Sequence, residues 1–344
     1  MTEPKGKKTR LTELVDGLGV TSVLKPFHDR GRSTLTVLAY HRVTPVDPGS
    51  APLDLELVSA TPETFDWQMR YLRERMQPVS LAQIVAHIEG GTPLPPDAVA
   101  VTFDDGFADI YQHAFPILRT YEIPATVFII TGNVDSGEPF WFERVAYLMA
   151  TLEPRSLHLD EIGEALPLGS DLPARRKSLR ALHAALKIVP NARRKQIFEQ
   201  WAREFPDAAN RGSHEIGWPM SWNQVREMAA AGIDFGSHTV THPNLVQLSP
   251  ENLAWELEES RRRLTDELQR DATSFAYPFG TRIAYSPDVV TAVEQAGFRI
   301  AMSYLPGTNW TRSLARFDLR RVGVELSTTQ AQFRVRVALA NWLG

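Results

Sequence analysis

The chain has 344 residues, 43% of them hydrophobic and 23% charged, with a formal net charge of -4 and no cysteine. That apolar content over that length supplies a large core and excludes a disordered chain. The missing cysteines exclude disulfides, thiol nucleophiles and Cys-ligated metal or iron–sulfur centres, so a metal would have to be held by His and carboxylates. The near-balanced charge lacks the basic footprint of a nucleic-acid binder, and no nucleic-acid partner is expected.

In chain order, Lys5, Lys7, Lys8 and Arg10 precede Leu11, Leu14, Val15 and Leu18 at helical spacing. This predicts a short amphipathic extension over residues 1–34 instead of an export signal. No apolar run approaches the ~20 residues of a membrane span, and the expectation is a soluble, cytoplasmic protein. Strands and helices then alternate. Leu35–Tyr40 reads as a strand, and Thr61–Arg75 as a helix opened by Thr-Pro-Glu. Ser80–Glu89 is a helix closed by Gly90-Gly91, Ala98–Phe103 a buried strand, Ala108–Tyr121 a helix and Ala125–Thr131 the next strand.

The alternation breaks over residues 136–217. An aromatic cluster, Phe140-Trp141-Phe142, precedes charge-rich helical stretches at Ala174–Lys187 and Ala192–Phe205, too polar for barrel strands. A helical insertion is predicted here. The pattern resumes with a helix at Ser221–Ala231 and a strand at Ile233–Ser237. Pro250–Gln269 reads as helix, Ser274–Tyr277 as strand, Pro287–Ala296 as helix and Arg299–Met302 as strand. Residues 328–344 form a last amphipathic helix. The two amphipathic ends suit packing against the body or peripheral contact with a membrane surface. Repeated strand–helix units imply an α/β fold with a parallel sheet over 35–327, closing in a barrel-like manner. Oligomeric state is left open.

Polar clusters sit at the strand ends, where ligands gather in α/β architectures. Thr102-Phe103-Asp104-Asp105-Gly106 leaves a strand with two adjacent carboxylates that diverge, one free for a metal and the other for substrate; an Asp-Gly turn capping the next helix is the plainer alternative. Gly236-Ser237-His238-Thr239-Val240-Thr241-His242 places two of the chain's nine His four residues apart, on one face if the segment turns helically. Together they offer Asp105, His238 and His242 as a three-ligand set, most naturally for zinc although other transition metals fit, with coordination positions left open as in catalytic sites. Asp104 is then placed as general base for a metal-activated water.

These residues resemble the polysaccharide deacetylases, carbohydrate esterase family 4 with its NodB-homology domain. The resemblance runs from about Leu35 to Val324 and is poorest over 136–217. It implies a deformed (β/α)7-type barrel that removes N-acetyl groups from amino sugars of a glycan or glycan precursor. On that pattern Asp104 is the base, Asp105, His238 and His242 are metal ligands, and Pro243 follows as expected. Phe275-Ala276-Tyr277-Pro278-Phe279-Gly280 stands where the family often has an aromatic followed by R-P-P-Y-G; Ala276 replaces the Arg that orients the base, and the backbone N–H of Phe279 would face the oxyanion, with Tyr277 beside it. The family's C-terminal Leu-x-His is absent, since no His follows His242. Leu38-Ala39-Tyr40-His41-Arg42-Val43 is instead similar to the start of a permuted-motif branch that includes poly-N-acetylglucosamine deacetylases, which implies that His41 protonates the leaving amine. Leu319-Arg320-Arg321-Val322 is similar to a late segment of that branch and implies that Arg321 orients Asp104. Trp141 is a candidate sugar-stacking residue. His28, His87, His113, His158, His183 and His214 show no partner spacing and read as structural. Rival readings are a deformylase or deacylase of a lipid-linked sugar, and a barrel that binds glycan without catalysis.

Overall fold

The computed structural model describes residues 34–46, 54–160, 162–163, 165–206 and 217–338. The expected N-terminal helix at Leu11–Leu18 and the last residues of the C-terminal helix lie outside them.

Six strands run parallel in one sheet: β1 (Thr34–Tyr40), β2 (Ala98–Phe103), β3 (Ala125–Ile129), β4 (Asp234–Ser237), β5 (Ser274–Ala276) and β6 (Ile300–Met302), in spatial order β1-β2-β3-β4-β5-β6. Chain order equals spatial order, as successive strand–helix units require. The sheet curls. Beyond β6, Leu319 bonds to Ala301 and Ser303, while Val322–Gly323 pairs with β1 and Val324 donates to Ala39, so a single segment touches both outer strands. Asn309–Trp310 adds an antiparallel pairing on β1.

Both faces of these strands are buried, which is why they read as nearly continuous apolar runs. The two faces differ in side-chain size. Val99, Val101 and Phe103 of β2 point outward and pack with Phe65, Met69 and Leu72 of the Pro62–Arg75 helix. Ala98 and Ala100 point inward among Leu35, Val37, Phe128, Ala276 and Met302. Period-2 alternation carries Thr102 and then Asp104 to the top of the inner face. The register of β1 on β2, Tyr40 opposite Phe103, brings His41 to the same end.

Helices fall close to the predicted bounds, with local exceptions. Ala108–Tyr121 is not one α-helix: Ile110–Ala114 bonds in wide π turns before Phe115–Thr120 continues as α-helix. Pro116 has no N–H to donate, which accounts for an interruption at this point. The long β3–β4 connection contains the two expected helices, at Leu172–Lys187 and Asn191–Glu204, together with three elements not foreseen: a helical turn at Thr131–Ser136, a helix at Trp141–Thr151 and a small antiparallel pair, Arg155–Leu157 with Leu166–Leu168. This connection has its own apolar cluster, including Val145, Met149, Leu182, Leu186, Ile197 and Trp201. It is tied to the sheet by a buried ionic cluster. Arg42 Nε bonds Asp109 Oδ2 at 2.7 Å and its Nη1 reaches Glu143 Oε1 at 3.1 Å, while Glu143 Oε2 accepts from Gly217 N at 3.0 Å. The last described helix is Gln330–Ala338, with Phe333 packed under Trp67 and Tyr71.

Candidate active site

A cavity of about 1130 Å³ opens at the C-terminal ends of the strands. Its floor is made by residues one or two past strand ends: His41 after β1, Asp104 and Asp105 after β2, His238 after β4, Tyr277 after β5 and Tyr304 after β6. One wall comes from the β3–β4 connection, through Trp141, Phe142, His183 and Lys187.

The two neighbouring carboxylates do diverge. Asp104 receives both ends of the Arg321 guanidinium, Nη1–Oδ1 and Nη2–Oδ2 each at 2.7 Å, a bidentate pair with both partners buried. Arg321 is held in turn by the Ser303 carbonyl at 2.9 Å and lies near the rings of Phe128 and Tyr304. Burial would raise the Asp104 carboxyl, but the charge and hydrogen bonds of Arg321 with the nearby His238 outweigh it and hold it down at about 2. Asp104 is therefore ionised at neutral pH.

Asp105 turns the other way because its backbone is left-handed, φ 69°, and Gly106 follows with φ 86°; a Cβ on Gly106 would run into Ile129. Its Oδ1 lies 3.6 Å from Nε2 of both His238 and His242, and the three candidate ligand atoms fall within 4.8 Å of one another. The two His do not converge through a helical turn, as their spacing suggested. Residues 238–242 form a loop bent by left-handed Thr239 (φ 70°) and His242 (φ 54°), and this curvature brings the rings to 4.8 Å. Non-glycine residues in this conformation cost energy and cluster at functional sites. His238 Nδ1 bonds the Ala276 carbonyl at 2.8 Å, which leaves Nε2 facing Asp105. Burial and the charges of Asp104 and Glu143 push Asp105 well above the ordinary carboxylate range, and burial pushes both imidazoles down. Neutral imidazoles with an electrostatically unrelieved carboxylate are what a divalent cation would satisfy, so the donor set fits a metal.

His41 sits on the same floor, its ring 5.7 Å from that of Tyr304. Burial lowers it to about 4; Asp104 opposes that shift, while the Arg321, His238 and Lys187 charges add to it. Phe279 has φ 61° and its ring meets His242 edge-on at 4.7 Å. The turn needs Gly280, since a Cβ there would collide with the Tyr304 backbone. Tyr277 lines the cavity, but its hydroxyl bonds the Phe317 carbonyl at 3.0 Å and its ring stacks on Tyr285. The aromatic triplet divides its work: Phe140 is buried against Phe107, while Trp141 and Phe142 line the cavity.

Other cavity residues carried no local signal. His183, read as structural from the sequence, is in the wall, its Nδ1 3.1 Å from Asp54 Oδ2 and its Nε2 3.0 Å from the Phe142 carbonyl. Lys187 places its Nζ 5.7 Å from the Phe279 ring. Tyr304 alone had a readable clue, its place just past a strand. No helix among the described residues is long and apolar enough to cross a membrane.

A curled parallel sheet with a buried carboxylate–imidazole trio and a clamped second carboxylate at its C-terminal edge is a barrel-like α/β arrangement whose donor set could hold a metal ion. The polysaccharide deacetylase family profile matches residues 91–301, more than half of the chain, and the protein belongs to that family. Among curated relatives, poly-β-1,6-N-acetyl-D-glucosamine N-deacetylase of Escherichia coli K12 is 50% identical over 79 residues, covering 23% of this chain and 11% of that protein. The enzyme of the same name from Staphylococcus epidermidis is 32% identical over 113 residues, 30% of this chain and 39% of that protein. The matched stretches therefore span well under half of these relatives' lengths. Among solved structures, the Streptococcus pyogenes deacetylase PplD in complex with acetate has a TM-score of 0.58 at 19% identity, over 88% of this chain and 96% of that one. IcaB from Ammonifex degensii has a TM-score of 0.55 at 21% identity, over 90% of this chain and 97% of that one. These likenesses establish the fold.

Proposed function

We propose that the protein is a metal-dependent hydrolase that removes N-acetyl groups from the amino sugars of a glycan, with β-1,6-linked N-acetylglucosamine polymers as the favoured substrate class. The observation that carries this reading is the bidentate Asp104–Arg321 pair standing in one cavity beside Asp105, His238 and His242. A binder would gain nothing from a second buried carboxylate held ionised. The polymer is suggested by the names of the two curated relatives described above.

Asp105, His238 and His242 would hold the ion, and two imidazoles with one carboxylate suit zinc. When bound, such an ion activates water and polarises the acetamide carbonyl. Asp104, ionised and fixed by Arg321, takes the proton of the attacking water. The Phe279 N–H is the backbone donor for the developing oxyanion. With His41 neutral at rest, the proton released from water can be relayed to its ring and then to the departing nitrogen. Trp141 and Phe142 give the sugar an apolar wall.

The test is acid release from a panel of N-acetylated oligosaccharides, with and without chelator. Chelator-sensitive acetate release, greatest on β-1,6-linked oligomers, is the expected result. Formate in place of acetate would favour the deformylase reading, and no release from any substrate would remove the enzymatic one.

A further inference from the structure

The two histidines of the trio are secured in different ways. His238 has the usual second hydrogen bond of a ligating imidazole, to the Ala276 carbonyl. His242 lacks one: its Nδ1 is buried and makes no hydrogen bond among the described residues. Its ring is caged edge-on by Phe279 at 4.7 Å and Phe142 at 5.6 Å. Its N–H bonds Thr239 Oγ1 at 3.0 Å, and its carbonyl accepts from Arg194 Nη2 at 3.3 Å. The preceding loop is gripped from two sides. Glu256, buried on the Pro250–Leu268 helix, accepts from the N–H groups of Val240 at 2.8 Å and Thr241 at 3.0 Å and from the Thr241 hydroxyl. On the other side, Asn191 Nδ2 donates to Thr241 Oγ1 at 2.7 Å and its Oδ1 receives Arg194 Nη2 at 2.5 Å.

Phe142, Asn191 and Arg194 all belong to the β3–β4 connection. Arg194 is only 5% exposed, and its guanidinium lies 4.4 Å from the centroid of the Trp141 ring in the cavity wall. A planar guanidinium can stack on an indole and bond two oxygens at its edge at once, which an ammonium cannot. We propose that the β3–β4 connection is part of the metal centre, with Arg194 as the positioning residue that replaces the missing imidazole hydrogen bond by holding the His242 backbone, and that links the ligand loop to Trp141. This rests on the functional reading above only in taking the trio as the ion's binding site. The connection is then more than a wall over the substrate, because removing its grip loosens one ligand in three.

The test is competition between the full-length protein and a fluorescent zinc chelator, with thermal unfolding of the metal-free protein recorded alongside. Arg194→Met is expected to weaken zinc about tenfold or more, the range for losing a partner behind a ligand. Arg194→Lys should recover part of that loss, through charge without the stack. Leu182→Ala, in the separate core of the connection, should lower the unfolding temperature and leave affinity unchanged. Should Arg194→Met not fold, Arg194→Lys and Asn191→Ala carry the comparison, each expected to weaken zinc by about two- to tenfold. Wild-type affinity in the folded variants overturns the proposal while leaving the functional reading intact. A wild-type protein that binds no ion overturns the functional reading, and this inference with it.

Discussion

The floor and the wall of the cavity are built on opposite plans. On the floor, each polar side chain stands just past the end of a strand whose position is fixed by parallel ladders and by apolar packing on both faces. The wall is a stretch of helices and a small hairpin with its own apolar cluster, joined to the sheet by Val134, Phe140 and Phe142 in the main core and by buried polar contacts such as Arg42 with Glu143. The difference separates chemistry from fit. Asp105 and His238 are mounted just past strand ends, whereas the groups that shape the substrate space, and the grip on the His242 loop, come from the helical connection.

If that division holds, floor substitutions should abolish turnover and wall substitutions should alter binding. The largest expected effect is on the base. Asp104→Asn keeps size and packing and should lower kcat by about 10²–10⁴-fold, the range for a general base, with metal still bound. Near-normal turnover in that variant would break the comparison at its centre. Next is Arg321→Met, which leaves a buried, unpaired carboxylate and should cost roughly 3–5 kcal/mol in a denaturant titration as well as activity. Adding Asp104→Asn to it should return part of that stability; if the double variant is no more stable than the single one, the loss does not come from an unpaired Asp104 carboxylate.

The wall should respond more mildly. Trp141→Ala removes apolar surface from the cavity and should raise KM by more than it lowers kcat, a pattern that steady-state kinetics reads directly. A fall in kcat alone would move Trp141 to the chemical side of the division. The smallest effect concerns Asp54 and His183. Burial raises the Asp54 carboxyl, but the His183 hydrogen bond and charge, with the Glu56 N–H, bring it below its ordinary value. Its contribution to stability is therefore complete above the unfolded carboxylate pKa of ~3.9 and is lost as pH falls through the lower folded value. Asp54→Asn should remove that part of the acid limb of an unfolding-versus-pH curve, and an unchanged limb would show that the contact contributes no stability.

The same contrast governs what was legible in the sequence. The floor could be read because its residues follow strands with a clear apolar pattern and come in short clusters, Asp104-Asp105-Gly106 and His238 to His242. Even there the reason for convergence was misjudged, because spacing suggests a helical turn whereas left-handed Thr239 and His242 do the bending. The Arg321–Asp104 pair joins residues 217 positions apart, so only likeness to a family segment pointed to it. The wall was readable as two helices and one candidate cavity residue, Trp141. His183 meets Asp54, and Arg194 meets His242 and Trp141, only after the connection folds back over the sheet, and no periodicity encodes contacts of that kind.

The central claim is that Asp105, His238 and His242 hold one catalytic ion. Its most direct measurement is a zinc titration of chelator-stripped protein, read by acetate release from a β-1,6-linked N-acetylglucosamine oligomer. The account predicts no release from stripped protein, a linear return on adding zinc and a plateau at one equivalent per chain. Undiminished release from the stripped protein, or the same return in Asp105→Ala, would contradict it.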